Sequence, residues 1–254
     1  MKMLALTIGA LLLAHAEPRD SEAAKPATTK LSLGAYTSAP NVVVLGSLSL
    51  GTSRIDAIWI SMKDLRFREE SPCDKAIQTY AQGPVTGELV GGAVSGLPES
   101  ATTTVGRYCR FELTLRRSRA KSAGAPLDLR RASIQVLGQR ADGVRFVIRT
   151  RLDIVLSLQA IDERGFAIVE GTNRLFLAVD AARWMAGIDF TVAEISHEGP
   201  NAVIRIDDKS NPDLLTVFQK NLPSGLSLFR DVDGDGVLSP SDRGAQGTIA
   251  SGGP

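Results

Sequence analysis

The chain has 254 residues, of which 43% are hydrophobic and 22% are charged, a balance typical of a soluble globular protein. This composition excludes a wholly disordered chain and a polytopic membrane protein. The 29 Lys and Arg residues nearly balance the 28 Asp and Glu residues, so no global positive field points to nucleic acid as a partner.

The N-terminus has the three parts of a secretory signal peptide. Lys2 gives a basic start, an apolar run covers residues 3–13, and residues 14–16 read Ala-His-Ala, an A-x-A cleavage site. The apolar run is shorter than the ~20 residues that a membrane span needs. We therefore expect cleavage after Ala16, a secreted, periplasmic or cell-surface location, and no transmembrane segment in the mature chain.

The segment that follows is poor in large apolar side chains. Residues 17–40 are rich in Ala, Pro, Thr and Ser, which predicts an exposed linker. A short edge strand around residues 31–33 is the alternative for this segment.

From residue 41 onward the dominant pattern is that of β-strands. The predicted strands are residues 42–45, 47–50, 55–67, 109–115, 133–137, 145–148, 154–158, 175–179 and 202–206. About nine short strands with turns between them indicate an all-β domain, either an antiparallel β-sandwich or a barrel. We expect the sandwich, as one domain over residues 41–242, followed by a flexible tail over residues 243–254.

Local signals mark one hairpin and two helices. Asp142-Gly143 lies between two β-rich runs and predicts a hairpin turn. A short helix is expected over residues 181–186. A longer helix is expected over residues 212–221, with Asn211 as its N-cap and Pro212 at its first position.

Cys73 and Cys109 are the two cysteines of the chain. An exported protein enters an oxidising compartment, where two cysteines commonly form a disulfide. Cys109 also begins an alternating strand whose apolar residues face inward, which favours a disulfide over an exposed thiol. Two separate thiols are the alternative.

Residues suited to catalysis are scarce. Removal of the signal peptide leaves His197 as the single histidine, in a stretch that reads as a turn, where an exposed loop histidine or a catalytic base is expected. The adjacent acids Asp207 and Asp208 point to opposite faces of a strand and form no ready dyad. We therefore expect a non-catalytic binding or structural module. A carbohydrate-active hydrolase that uses carboxylates distant in sequence is the alternative.

Residues 231–242 have the spacing of a calcium loop, D-x-D-x-D-G-x-x-S-x-x-D. Ca²⁺ takes 6–8 oxygen ligands, and a loop that wraps it must present oxygens at alternate positions. Gly236 permits the sharp turn at the sixth position. The predicted ligands are Asp231, Asp233, Asp235, the carbonyl of Val237, Ser239 and Asp242. An Asp/Gly-rich turn without an ion is the alternative.

The same twelve residues resemble the calcium loops of EF-hands and of dockerin modules. An EF-hand has a helix on each side of its loop, whereas residues 226–229 predict a strand before this loop. The residues after the loop are poor helix formers, and a dockerin carries two such loops where this chain has one. The resemblance therefore implies Ca²⁺ as a stabilising ligand, without a calcium-sensor or dockerin assignment.

A second resemblance covers residues 41–117. The runs over residues 55–60 and 106–113, with Gly106-Arg107-Tyr108 as a G-x-Y step before a strand, look like secreted bacterial β-sandwich domains of unknown function. This resemblance implies a sandwich fold and an envelope or extracellular setting, and it transfers no catalytic residues.

Basic residues concentrate in one part of the sequence. The eight basic residues of this candidate anion patch are Arg107, Arg110, Arg116, Arg117, Arg119, Lys121, Arg130 and Arg131. One interpretation is a surface for an envelope component such as an acidic polysaccharide, lipopolysaccharide phosphate or an anionic membrane. The other is a solvated strand face and hairpin loop, whose charges keep the strand edge from pairing with another chain. Few aromatic residues are interleaved, so we expect no nucleic-acid binding.

Overall fold

A computed structural model describes residues 25–38, 43–44, 47–50, 53–69, 73, 77–91, 94–118, 129–199 and 201–253. The predicted signal peptide lies outside these residues. The strands of the first half are β1 (Pro26–Tyr36), β2 (Val43–Val44), β3 (Ser47–Leu50), β4 (Ser53–Glu69), β5 (Ile77–Glu88), β6 (Val94–Ser95), β7 (Ala101–Thr104) and β8 (Gly106–Leu115).

The second half contains the remaining strands and both helices. The strands are β9 (Ile134–Arg140), β10 (Arg145–Thr150), β11 (Ile154–Ala160), β12 (Phe166–Ile168), β13 (Thr172–Asp180), β14 (Ile195–Glu198), β15 (Asn201–Ile206), β16 (Leu226–Arg230) and β17 (Thr248–Gly252). The helices are α1 (Ala181–Trp184) and α2 (Pro212–Asn221). The described chain is therefore a mostly-β fold, as the alternation of the sequence predicts.

The longest strand, β4, organises the sheet. Its first half pairs with β9 and its second half with β8, while β5 and β3 pair along its other edge. Residues 58–62 at its centre are all buried, because apolar side chains occupy both of its faces. The two-sided apolar run over residues 55–67 thus forms a central strand, as predicted.

Two arms of one sheet extend from β4. From β8 the sheet continues through β11, β17, β16, β13 and β1 to β7, and from β9 it continues through β10 and β15 to β14. The sheet curls back on itself at β1. There the amide of Ala35 donates to the carbonyl of Leu89 at 2.9 Å, and the Leu89 amide donates to Ile58 in β4 at 2.8 Å.

The sheet is mixed rather than purely antiparallel. β1 lies parallel to β13, and β10 lies parallel to β15, while the other strand pairs are antiparallel. Parallel neighbours need long crossover connections, which leave no local signal in the sequence.

The core fills the curl and continues under the helices. Phe67 lies at its centre, with Phe111 and Tyr108 at ring-centroid distances of 5.0 and 5.4 Å. Trp184 of α1 meets Phe218 of α2 edge-on at 5.8 Å. The helices are thereby fixed to the sheet through large buried side chains.

Two segments for which the sequence predicts a linker and a flexible tail each contain a strand. β1 lies inside residues 17–40, and Ala27, Thr29, Leu31 and Leu33 are buried on one side of it. Its inward positions include Ala and Thr, so the apolar alternation is too weak to stand out from a linker. β17 lies inside residues 243–254 and pairs with β11 and β16, with Ala250 fully buried.

The predicted helices form, but the expected cap of the second one differs. α1 begins after Asp180, whose carboxylate accepts the Ala182 amide at 3.0 Å. α2 covers the predicted residues 212–221. Asn211 makes no side-chain cap hydrogen bond; its side-chain amide donates instead to the carbonyl of Arg205 at 2.6 Å. The residue thus ties β15 to the helix start.

Cys73 and Cys109 form a disulfide with a Cα–Cα distance of 5.9 Å. The predicted pairing is confirmed. The bond fastens residue 73, between β4 and β5, to β8.

None of the helices in the described residues is both long enough and apolar enough to cross a membrane.

Candidate metal centre and basic surface

The predicted calcium loop joins two strands of the sheet. It starts where β16 ends and leads into β17, so both of its ends belong to the hydrogen-bonded framework. The Arg230 amide donates to the carbonyl of Gly247 at 2.7 Å, and the Asp231 amide donates to the carbonyl of Arg174 in β13 at 3.1 Å. The loop is therefore held at its base by backbone contacts.

Three aspartates of the loop converge. Asp231, Asp233 and Asp235 each place one carboxylate oxygen within 4.8 Å of the others. Asp233 and Asp235 are exposed, whereas the side chain of Asp231 is fully buried. Three converging carboxylate oxygens form a negative cluster of the kind that hard divalent cations accept.

Backbone amides of the same loop orient these carboxylates. Gly234 and Gly236 donate to the two oxygens of Asp231 at 2.6 and 3.1 Å. The amide of Val237 donates to Asp235 at 2.7 Å. Gly236 has a φ of +79°, the left-handed conformation that glycine adopts without a steric penalty. The predicted sharp turn at the sixth position is therefore present.

Asp242 anchors the loop from beneath. It is fully buried, and its two oxygens accept the Val232 amide at 2.7 Å and the Ser239 amide at 2.8 Å. Burial raises the pKa of this carboxyl, but the hydrogen bonds from Val232 and Ser239 outweigh burial and leave the pKa below its usual value. Asp242 is thus ionised and holds the two halves of the loop together through these hydrogen bonds. It is not one of the three converging aspartates.

Ser239 connects Asp242 to the three converging aspartates. Its hydroxyl lies 2.7 Å from an oxygen of Asp242 and 3.2 Å from an oxygen of Asp233. A hydrogen bond from the Asp235 amide is the main cause of a lowered pKa for Asp233. The loop therefore keeps carboxylates ionised at neutral pH.

A positively charged side chain from the neighbouring strand β13 lies beside the loop. The Arg174 guanidinium donates to the carbonyl of Gly234 at 2.7 Å and lies 3.9 Å from an oxygen of Asp231. This arginine offsets part of the negative charge of the cluster.

The predicted anion patch divides into two groups of different character. Arg107 lies 3.9 Å from Asp162, and Arg110 lies 3.5 Å from Glu112, so both have acidic partners. The arginines at positions 116, 117, 130 and 131 line a common cavity. Arg119 and Lys121 lie outside the described residues.

One arginine of this cavity has no counterpart in the sequence prediction. Arg151 follows the end of β10 and lines the same cavity as the arginines that follow β8. Two strand pairings, of β9 with β10 and of β8 with β11, bring it beside the basic run. The predicted hairpin at Asp142-Gly143 is the sequence signal that could have placed this residue opposite the end of that run.

The candidate catalytic residues lie on β14 and just after β15. His197 is exposed on β14, which pairs with β15, rather than in a turn. Asp208 forms an ion pair with Arg151 at 3.0 Å, and Asp207 accepts the Lys209 amide at 2.9 Å. Among the described residues, no hydrogen bond or ion pair joins these three side chains to one another.

Comparison with known proteins gives a distant structural likeness. No protein-family model matches the chain, and no curated protein matches it by sequence. A solved structure, MbnP from Methylosinus trichosporium, aligns with a TM-score of 0.40 and 10% sequence identity, over 70% of this chain and 82% of that one.

Proposed function

We propose that the chain is an exported, calcium-stabilised β module that binds an envelope component and performs no catalysis. The observation that carries this proposal is the convergence of Asp231, Asp233 and Asp235 in a loop with calcium-type spacing. The paired cysteines support an oxidising compartment, in agreement with the signal-peptide pattern.

The donor set of the loop suits a hard cation. The three converging aspartates supply carboxylate oxygens, and the Val237 carbonyl and Ser239 hydroxyl add neutral oxygens at the seventh and ninth positions. Asp242 acts from the twelfth position through Ser239, which it contacts at 2.7 Å. Calcium is favoured over magnesium because a loop that offers many oxygens matches its larger coordination number.

A bound ion would stabilise the whole sheet rather than the loop alone. The loop connects β16 to β17, and β17 in turn joins β16 to β11. An ion that binds the folded loop and not the unfolded chain shifts the folding equilibrium by mass action. Without the ion, the acidic side chains of the loop repel one another.

The binding role rests on the basic patch. The arginines that line the cavity face solvent or are half-buried, and an exported protein meets acidic polysaccharides in the envelope. Guanidinium groups bind carboxylate, sulfate and phosphate through paired hydrogen bonds. An anionic component of the envelope is therefore the proposed partner.

Thermal melting in chelator and in excess Ca²⁺ tests the ion site. At a Ca²⁺ concentration about 100 times the Kd, the expected stabilisation is about 2.7 kcal/mol, which corresponds to a rise in Tm of roughly 5–10 °C for a domain of this size. Asp233→Asn is expected to abolish most of this rise, because it removes one of the converging charges.

Asp189→Asn is the matched control. Asp189 is another exposed loop aspartate, and it accepts the amide of Thr191 two residues ahead at 2.8 Å. Its variant is expected to keep the full calcium-dependent rise in Tm. Identical melting curves of the wild-type protein in chelator and in excess Ca²⁺ would contradict the proposed ion site.

A further inference from the structure

A cavity of about 710 Å³ opens at one end of the sheet. It lies where β8 and β10 end and where β9 and β11 begin, and we refer to it as the arginine pocket. Its lining residues are Arg116, Arg117, Ser118, Arg130, Arg131, Arg151 and Asp153.

Strand pairing brings these residues together from three parts of the chain. Leu115 at the end of β8 pairs with Ile154 at the start of β11, and Thr150 at the end of β10 pairs with Ile134 at the start of β9. The arginines lie just beyond these paired ends. Five arginines therefore line one cavity.

The backbone of the pocket is tied by hydrogen bonds. The Ser118 amide donates to the carbonyl of Ala132 at 2.9 Å, and the Arg131 amide donates to the carbonyl of Ser118 at 2.8 Å. Leu129 and Ala132 are buried against Trp59 of β4, which anchors the turn in the fold. The arginine backbones are thus positioned before a ligand arrives.

Arg131 adopts a backbone conformation that disfavours its own side chain. Its φ is +73°, in the left-handed region, where a residue with a Cβ atom is strained and glycine is not. Backbone strain of this kind is concentrated at binding and catalytic sites, where the surrounding structure maintains it. An arginine therefore occupies a turn position at which glycine would be more stable.

The positive charge of the pocket is only partly balanced. Arg151 forms an ion pair with Asp208 at 3.0 Å, and Asp153 is the acidic residue among those that line the pocket. Among the described residues, the other four arginines of the pocket have no carboxylate oxygen within 4.0 Å. Their mutual repulsion decreases when an anion enters.

A second cavity adjoins the arginine pocket and has a different character. It measures about 290 Å³ and shares Arg116, Arg117 and Ser118 with the arginine pocket, while Met62 and Pro84 add apolar surface. Sugar rings carry apolar C–H faces beside their acidic groups, and such a ligand suits both cavities. A flat bilayer surface does not enter a concave pocket, so a discrete chain of acidic sugars fits better.

We propose that the arginine pocket binds a short stretch of an acidic polysaccharide through several sulfate or carboxylate groups. The proposal rests on the binding role proposed above, and it assigns that role to one pocket and to one class of ligand. It does not depend on the calcium loop, which lies elsewhere in the fold between β16 and β17.

Calorimetric titration with two small probes tests the proposal at a fixed ionic strength. Sucrose octasulfate represents sulfated sugars and an oligogalacturonate represents carboxylated ones, each titrated in chelator and in Ca²⁺. The double variant Arg116→Gln/Arg131→Gln is expected to bind the preferred probe at least ten-fold more weakly than the wild-type protein. The preferred probe tells sulfate recognition from carboxylate recognition.

Two control proteins separate the pocket from overall charge and from folding. Arg54→Gln/Arg164→Gln removes the same charge at exposed arginines outside the pocket and is expected to change the Kd less than two-fold. Arg131→Gly removes the side chain and relieves the backbone strain. It is expected to keep or raise the Tm while it weakens binding.

Three results would overturn the proposal. Equal weakening in the pocket variant and in the charge control would show non-specific attraction. Binding of neither probe would exclude the ligand class. Binding to phosphatidylglycerol vesicles that is lost in the pocket variant, without binding of either probe, would indicate a membrane ligand.

Probe binding with no calcium effect on melting would refute the ion site alone.

Discussion

At the scale of single residues, the turn between β9 and β10 shows how a local ion pair stabilises a hairpin. The Arg140 Nε donates to Asp142 at 2.9 Å, and the same carboxylate accepts the Val144 amide at 3.2 Å. The hydrogen bond from Arg140 is the main cause that lowers the pKa of Asp142 to about 2. The ionised carboxylate is thus the form that the folded hairpin prefers.

This pKa predicts a specific loss of stability in acid. A carboxyl whose pKa is lowered by folding stabilises the protein above its unfolded pKa of about 4, and this contribution disappears as the pH falls towards 2. We expect the Tm advantage of the wild-type protein over Asp142→Asn to shrink between about pH 4 and pH 2. NMR titration of the Asp142 carboxyl carbon checks the cause, and a midpoint near 4 would contradict it.

At the scale of elements, β9 depends on a glycine for its contact with β4. Gly138 pairs with Ile55 of β4 on one side and with Phe146 of β10 on the other. A Cβ atom at this position would fall within 3.0 Å of the Arg54 carbonyl oxygen and of the Phe146 ring. The absence of a side chain lets three strands approach one another.

Gly138→Ala is therefore expected to destabilise the protein. Overpacking of this kind costs about 1–3 kcal/mol, which lowers the Tm by roughly 2–12 °C in a domain of this size. Gly106→Ala in β8 is the matched control, because nothing lies within 4 Å of its added Cβ atom. Thermal melting of both variants checks the prediction, and equal changes in Tm would contradict it.

Elements with local signals could be predicted from the sequence, and elements with only long-range partners could not. The Asp142-Gly143 hairpin, the helix over residues 212–221 and the converging aspartates depend on neighbours within about twelve residues. β1 was anticipated only as the alternative of a short edge strand around residues 31–33, because its inward positions are partly small or polar. Its parallel partner β13 lies more than a hundred residues away. Arg151 reaches the arginine pocket through the β9–β10 hairpin and the pairing of β8 with β11, and the basic run alone does not indicate it.

At the scale of the whole molecule, the C-terminal strand closes the sheet. β17 lies between β16 and β11, so it connects the strand before the candidate calcium loop to the strand beside the arginine pocket. Composition gives little sign of this role, because residues 248–252 are Thr, Ile, Ala, Ser and Gly. The strand is held by backbone pairing along both of its edges, which needs no large apolar side chains.

Removal of this strand is expected to affect the entire fold. Truncation after Gly247 leaves the edges of β11 and β16 unpaired and exposes the surface that Ala250 covers. We expect the truncated protein to lose its cooperative melting transition or to melt at least ~10 °C lower, a loss of about 3–5 kcal/mol. Truncation of residues 253–254 alone keeps β17 and is expected to leave the Tm unchanged. If both truncated proteins melted like the full chain, these residues would be a dispensable tail, and the calcium loop would no longer be coupled to the sheet through β17.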